Sequence, residues 1–149
     1  MIEFPRTEVD GLSLPRMIIG TNWILGYSHR SASQDAMIRM KYSEPEAVRD
    51  IICAYLEYGV DAIMAPIVWD DFKPNKVLMD GIHAAEQKMG RGVTIIDTPT
   101  INVDNTPEAH DFTARKLEAV AKNGASVCLL HHSSVEKLVC KATQTIDRL

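Results

Sequence analysis

Three glycines mark the start of three similar units in this chain. Gly59, Gly92 and Gly124 lie roughly 30 residues apart, and each precedes a short apolar run that reads as a buried strand. Helical patterns separate these strands. Strands and helices that alternate in this way predict parallel strands, with both faces of the sheet covered. We therefore expect an α/β protein with right-handed connections between its strands.

The positions of the predicted elements follow from this repeat. A first strand covers residues 16–22, and the later strands cover residues 60–66, 92–99 and 125–130. Helices begin at capping patterns near residues 43, 74, 106 and 133, and the last one continues to Leu149. A weaker alternative ends that helix at Cys140 and starts another near Thr143. Residues 23–41 have no steady hydrophobic period, so they are predicted to form a long loop with a helical turn near residues 35–40.

Two architectures can hold four strand-helix units. A TIM (βα)8 barrel needs about 250 residues, whereas this chain has 149. We therefore expect a single parallel (βα)4 domain over residues 1–149, which is half of a TIM barrel and its N-terminal half. The alternative is a small flavodoxin-like doubly wound sheet. Residues 20–26 contain no Gly-x-Gly-x-x-Gly pattern, so nothing supports the dinucleotide-binding form of that sheet.

Composition limits the partners and the compartment. The chain has 16 basic and 20 acidic residues, so no basic field indicates a nucleic-acid surface. We find no leader pattern and no apolar stretch that could span a bilayer, and we expect a cytoplasmic protein without a membrane partner.

Cys53, Cys128 and Cys140 each fall in an apolar segment and are expected to be buried free thiols. An isolated half-barrel would expose the apolar inner face of its strands, which predicts a homodimer or a higher oligomer.

The candidate site follows from the geometry of a parallel sheet, which binds ligands at the carboxyl ends of its strands. Asp97 ends the third strand, and His131 and His132 follow the fourth. Asp97 with a histidine can work as an acid-base pair or as two ligands of a divalent metal. Because side chains alternate along a strand, we expect one histidine, His131, to face the site. An equally good interpretation is that Asp97 and the histidines only cap the strand ends and form hydrogen bonds to the loop backbone.

The loop after the first strand offers further candidates for substrate binding. They are Asn22, Trp23, His29 and Arg30. An arginine among serines can bind a phosphate or a carboxylate. A solvated loop is the simpler alternative.

Residues 12–21, the helix over residues 46–59 and residues 127–131 together resemble the N-terminal half of the aldo-keto reductase barrel. In that family a histidine at the end of the fourth strand belongs to a catalytic tetrad, and His131 matches its place. The tetrad is incomplete here, because residues 65–71 contain no tyrosine and Asp97 stands where the family has a lysine. The family's NADPH-binding segments lie in the other half of the barrel, so NADPH binding is not expected.

Three functions agree with these observations. The first is a TIM-barrel enzyme, or a fragment of one, that acts on a small polar or anionic metabolite. The second is a half-barrel without catalytic activity that functions by oligomer assembly. The third is a remnant of an NADPH-dependent reductase.

Overall fold

The structure of the protein is a computed structural model that describes residues 4–146, with side chains described through Lys141. Leu149, the predicted end of the last helix, lies outside the described residues. In chain order the described elements are β1 (Arg6–Val9), β2 (Leu12–Pro15), β3 (Ile19–Gly20), α1 (Asn22–Leu25), α2 (Ala32–Lys41), α3 (Pro45–Leu56), β4 (Ala62–Ala65), α4 (Lys76–Met89), β5 (Thr94–Asp97), α5 (Pro107–Lys122), β6 (Val127–Cys128) and α6 (His132–Ile146).

The main sheet has four parallel strands in the order β3, β4, β5, β6. Ile19 pairs with Ile63 and Gly20 pairs with Met64 in the parallel register of β3 and β4. The predicted α/β class with a parallel sheet is therefore confirmed. The half-barrel form and the single (βα)4 domain remain predictions.

A separate antiparallel hairpin of β1 and β2 precedes this sheet and was not predicted. Its turn consists of Asp10 and Gly11, which both have positive φ angles, of 47° and 80°. An Asp-Gly pair is a strong local signal for a two-residue hairpin turn. The hairpin could therefore have been read from residues 6–15.

The chain divides into two compact units. Unit 1 comprises the described residues up to Ala65 together with Asn75–Ile96, and unit 2 comprises Pro66–Pro74 together with the described residues from Asp97 onward.

The core of unit 1 contains the elements that the sequence predicts best. On α3, Val48, Ile52 and Leu56 are buried and follow one another at helical spacing. A Cβ atom added to Gly81 of α4 would lie 2.7 Å from Cβ of Val48, so the two helices approach closely only because residue 81 is glycine. The predicted helices over α3 and α4 and the strand β4 are confirmed.

Unit 1 also contains the main error in the predicted elements. A helical turn was predicted only near residues 35–40, within a long loop, but residues 32–41 form the ten-residue helix α2. This helix begins where the Ser31 hydroxyl accepts a hydrogen bond from the Gln34 N–H. Ile38 is the buried residue of this helix, whereas Met37 and Met40 are exposed. A helix that buries so little has no apolar stripe to detect, and its cap was the better signal.

Unit 2 confirms the helix α5, whose N-cap Thr106 accepts the N–H of Ala109. The predicted buried fourth strand is wrong in part, because β6 has two residues and Leu129 and Leu130 are 51% and 37% exposed. Among the described strands, β6 has a neighbour on one side only, so an apolar sequence there does not ensure burial.

The last predicted helix is confirmed as a single helix, so the alternative of a break near Cys140 is wrong. It begins at His132, slightly earlier than predicted, and its apolar residues Val135 and Leu138 are exposed. Two of the three thiols were also placed wrongly. Cys53 is buried, but Cys128 on β6 and Cys140 on α6 are exposed.

Candidate functional site

The Asp97 carboxyl group lies in unit 2 at the carboxyl end of β5. Its residue is 0% exposed. Oδ2 accepts a hydrogen bond from the Ile67 N–H at 2.7 Å, and Oδ1 has no hydrogen-bond partner among the described residues. Buried carboxylate oxygens without a partner are uncommon and call for an explanation such as a ligand or a catalytic role. Asp97 is therefore the strongest candidate in this unit.

Burial changes the acidity of this group. It raises the pKa of Asp97 from 3.8 to about 6, although the Ile67 N–H and the positive charge of Lys116 act in the opposite direction. A carboxyl group with a pKa near 6 is present in both protonation states close to neutral pH, so it can accept and return a proton there. Perturbed groups of this kind are enriched in active sites.

Lys116 on α5 is a second unusual group in unit 2, and the sequence analysis missed it. It is 2% exposed. Its Nζ donates to the Val68 carbonyl oxygen at 2.8 Å and to Oδ1 of Asp70 at 3.1 Å. The sequence did contain a signal for the burial of this lysine, because residue 116 lies at helical spacing from the buried Ala109 and Val120. A lysine at such a position is buried with its charge, which requires hydrogen-bond partners.

The segment that supplies these partners is a tight hairpin over residues 68–74. Val68 bridges to Pro74, and the Trp69 N–H donates to the Lys73 carbonyl oxygen at 2.8 Å. Phe72 has a positive φ angle of 64°, which is strained for an aromatic residue. Its ring lies on α5, where the Phe112 ring is 5.3 Å away and the Arg115 guanidinium is 4.4 Å away. Ile67, at the base of this hairpin, is the residue bonded to Asp97.

Asp70 is an exposed residue of the hairpin and also has a role in this cluster. Its Oδ1 accepts from Lys116 and, at 3.3 Å, from the Thr100 hydroxyl. The carboxylate therefore joins the hairpin both to α5 and to the segment that follows Asp97.

The predicted histidines lie in the same unit. The His131 N–H donates to the Pro99 carbonyl oxygen at 3.0 Å, so its backbone runs beside the segment that follows β5. Nδ1 of His131 is 2.8 Å from the Ser133 hydroxyl, and the His132 ring is 4.3 Å from the His131 ring. His131 is half-buried and His132 is exposed. No described hydrogen bond joins the Asp97 carboxylate to the His131 ring, so their pairing remains a prediction.

A metal centre has little support from side-chain geometry. Within the described residues, no group of three or more histidine, cysteine, aspartate or glutamate side chains is placed to hold a metal ion. Asp97 and His131 remain the predicted pair of ligands. The buried carboxyl group of Asp97, with its raised pKa, agrees better with acid-base chemistry.

Unit 2 also has two open clefts beside residues 101–104. One measures about 600 Å³ and is lined by α5 residues and Leu138, and the other measures about 790 Å³ and is lined by α6 residues. Ser134 lies under this segment, where its hydroxyl accepts the Ile101 N–H at 3.1 Å. The lining of the two clefts does not include Asp97.

The four predicted substrate-binding residues lie in unit 1 and form two pairs. Nδ2 of Asn22 is 3.2 Å from Nε2 of His29, and the Arg30 guanidinium lies 5.8 Å from the centre of the Trp23 ring. All four are exposed. The structure therefore makes them accessible to a ligand.

The loop that carries them is anchored next to His29. Asp35 of α2 accepts the Ser28 N–H at 2.7 Å and its hydroxyl at 2.5 Å, and both bonds lower the pKa of Asp35. His29 itself has a positive φ angle of 57°.

Comparisons of this chain with protein-family models, with curated proteins and with solved structures find no match. The resemblance to the aldo-keto reductase barrel therefore stays a prediction. None of the helices in the described part of the chain has both the length and the apolar character needed to cross a membrane.

Proposed function

We propose that the protein is an enzyme of the TIM-barrel type, built on half of such a barrel. It acts on a small polar or anionic metabolite by acid-base chemistry at Asp97. The observation that carries this proposal is the state of that side chain. It is fully buried at the end of a parallel strand, its pKa is raised to about 6, and its Oδ1 has no described partner.

The two oxygens of Asp97 have different roles in this proposal. Oδ2 is held by the Ile67 N–H, which fixes the orientation of the carboxyl group. Oδ1 is the atom that accepts a proton from the substrate and later returns it. The positive charge of Lys116 favours the ionised form, and so keeps part of the population able to act as a base.

A substrate must gain access to Asp97, because the side chain has no exposed surface. We assign this movement to the hairpin of residues 68–74. Its base is bonded to Asp97, while Lys116 and the ring of Phe112 attach it to α5. Loops that open and close over a catalytic group are common in enzymes of this architecture. In the open state His131 and His132, which lie in the same unit, are candidates for further substrate contacts.

The test compares the native protein with Asp97→Asn. Asp111→Asn is the control, because Asp111 is an exposed aspartate of α5 paired with Arg115. Thermal shifts measured with a panel of hydroxy acids, keto acids and phosphorylated sugars identify ligands, and NMR spectra of the same mixtures report turnover. We expect turnover to be lost in Asp97→Asn and retained in Asp111→Asn. Turnover by Asp97→Asn at the native rate would refute the role of Asp97.

Assembly is a second candidate function, and one specific observation favours it. Leu129 and Leu130 next to β6, together with Val135 and Leu138 on α6, are exposed apolar side chains of unit 2. Exposed apolar side chains of this kind are typical of interaction surfaces. The predicted homodimer or higher oligomer would use this surface.

Sedimentation velocity at micromolar concentration tests this second candidate. We expect the native chain to self-associate and Leu138→Glu to shift it toward the monomer. Met37→Glu is the matched control, because Met37 is an exposed apolar residue of α2 in unit 1. A monomeric native chain would exclude assembly of this kind.

A further inference from the structure

The Asp70 carboxylate occupies a position that two donors from other parts of unit 2 share. Its Oδ1 accepts a hydrogen bond from Nζ of Lys116 at 3.1 Å and from the Thr100 hydroxyl at 3.3 Å. Lys116 belongs to α5, and Thr100 follows β5. The Asp70 side chain is itself 76% exposed and reaches these donors from the hairpin of residues 68–74. A carboxylate oxygen is therefore bound here by groups outside the hairpin that carries it.

The charge of Lys116 depends on this hairpin for its partners. The side chain is 2% exposed, and a buried ammonium group needs acceptors. The described acceptors of its Nζ are the Val68 carbonyl oxygen at 2.8 Å and Oδ1 of Asp70, and both are hairpin atoms. When the hairpin moves away from α5, the ammonium group loses both of them. Water that enters replaces the hydrogen bonds, but only an anion also replaces the charge.

The hairpin is also bonded to Asp97. The Ile67 N–H at the base of the hairpin donates to Oδ2 of Asp97 at 2.7 Å, and Oδ1 has no partner among the described residues. The positive charge of Lys116 acts on the same carboxyl group, where it lowers the pKa against the effect of burial. The acid-base group and the buried cation therefore lie close enough for their charges to interact, and one hairpin is bonded to both.

We propose that Lys116 and Thr100 bind a carboxylate group of the substrate, in the position that Asp70 occupies while the hairpin is closed. The proposal rests on the function proposed for Asp97 and gives its substrate class, a small carboxylic acid. The ammonium group of Lys116 exchanges one carboxylate for another, so its charge stays paired when the hairpin opens. The same charge offsets the repulsion between the substrate carboxylate and the ionised form of Asp97. Asp70 is thus an internal competitor of the substrate.

NMR titrations of the full chain with acetate and with acetamide at pH 7 test the proposal. Acetamide has the shape of acetate without its charge. We expect acetate to cause saturable shifts of the amide signals of Thr100 and of residues 68–73, and acetamide to cause none. The amide signal of Gly81 in unit 1 is the control in the same spectra and should move little. The proposal is overturned if the two probes cause equal shifts, or if acetate causes none in both the native protein and Asp70→Asn.

Substitutions at the proposed donors and at the competitor give the expected changes in affinity. Asp70→Asn removes the charge of the competitor, so acetate should bind roughly 2- to 5-fold more tightly. Asp71→Asn is the matched control and should bind acetate as the native protein does, because Asp71 lies in the same hairpin but pairs with Lys73. Lys116→Met should weaken binding roughly 10- to 100-fold, and Thr100→Val should weaken it roughly 2- to 10-fold without removing a buried charge. The proposal fails if Asp70→Asn binds acetate no more tightly than Asp71→Asn, or if both donor variants bind it as the native protein does.

Asp97→Asn separates the proposed carboxylate site from the catalytic role on which it rests. Lys116 is unchanged in this variant, so acetate should bind at least as tightly as in the native protein while turnover is lost. If acetate does not bind but turnover still depends on Asp97, the substrate class is wrong and the catalytic role stands. Turnover by Asp97→Asn at the native rate, with acetate bound normally, would instead refute the catalytic role alone.

Discussion

Replacing Asp97 by asparagine should change how the stability of the protein depends on pH. In the native protein burial raises the pKa of this carboxyl group from 3.8 to about 6. As pH rises past 3.8, the unfolded chain releases the proton of residue 97 first, and the folded protein follows only near pH 6. The folded state therefore loses stability between pH 3.8 and about pH 6. Above about pH 6 this carboxyl group causes no further loss of stability. Asparagine does not titrate, so the variant lacks this loss.

The magnitude follows from the size of the shift. A raised pKa of about 6 against an ordinary value of 3.8 corresponds to about 3 kcal/mol of unfolding free energy. Water does not screen this effect, because the Asp97 side chain is fully buried. We expect the free energy of unfolding of the native protein, relative to Asp97→Asn, to fall by about 3 kcal/mol between pH 4 and pH 7.

Urea unfolding at several pH values between 4 and 8 measures this difference. Tryptophan fluorescence reports the transition, and Asp111→Asn controls for the general effect of removing one carboxylate. A ¹³C NMR titration of the Asp97 carboxyl carbon checks the pKa directly. The reasoning is refuted if the stability difference between native protein and Asp97→Asn is flat over this range, because the carboxyl group would then titrate alike in both states. A variant that is more stable at neutral pH but inactive would agree with a residue retained for function.

Two further substitutions test the packing around the candidate site and in unit 1. Lys116→Met leaves the buried carbonyl oxygen of Val68 without its hydrogen bond, so the free energy of unfolding in urea should fall by about 1–3 kcal/mol. The pKa of Asp97 should rise further in an NMR titration, because the positive charge that lowers it is removed. The exposed Lys122→Met of the same helix should change neither quantity. Gly81→Ala would place a Cβ atom 2.7 Å from a side chain of α3 and should cost about 1–3 kcal/mol in the same unfolding experiment. Gly20→Ala meets no atom within 4 Å and should be tolerated, and equal losses in both glycine variants would contradict this account.

Much of the fold was accessible from short-range patterns. The α3 and α4 helices were predicted from apolar residues at helical spacing, and α5 from Thr106 and Pro107 at its start. These signals work because burial of one face and capping of one end act on neighbouring residues of the chain. Only a turn of the α2 helix was predicted, because Ile38 is its buried residue and one buried position does not make a hydrophobic period.

The candidate site was predicted in part. Asp97 was recognised because it ends an apolar strand, and it is the group that the structure makes unusual. Lys116 was missed because charged residues are normally assigned to exposed helix faces, and its burial depends on Val68 and Asp70, which lie far away along the chain. The burial predicted for residues 129 and 130 was wrong, because it depends on neighbours that β6 lacks among the described strands.

The amino-acid sequence by itself determined the repeat of strands and helices, and with it the strand end at which Asp97 lies. Periodicity, caps and turn glycines act over a few residues, so they can be read without knowing the fold. Only the tertiary structure decided that Asp97 is buried with one unpaired oxygen, that its pKa rises to about 6, and that Lys116 lies in the same unit with its charge enclosed. Desolvation and charge pairing depend on every group packed around a side chain, and these groups come from distant parts of the chain.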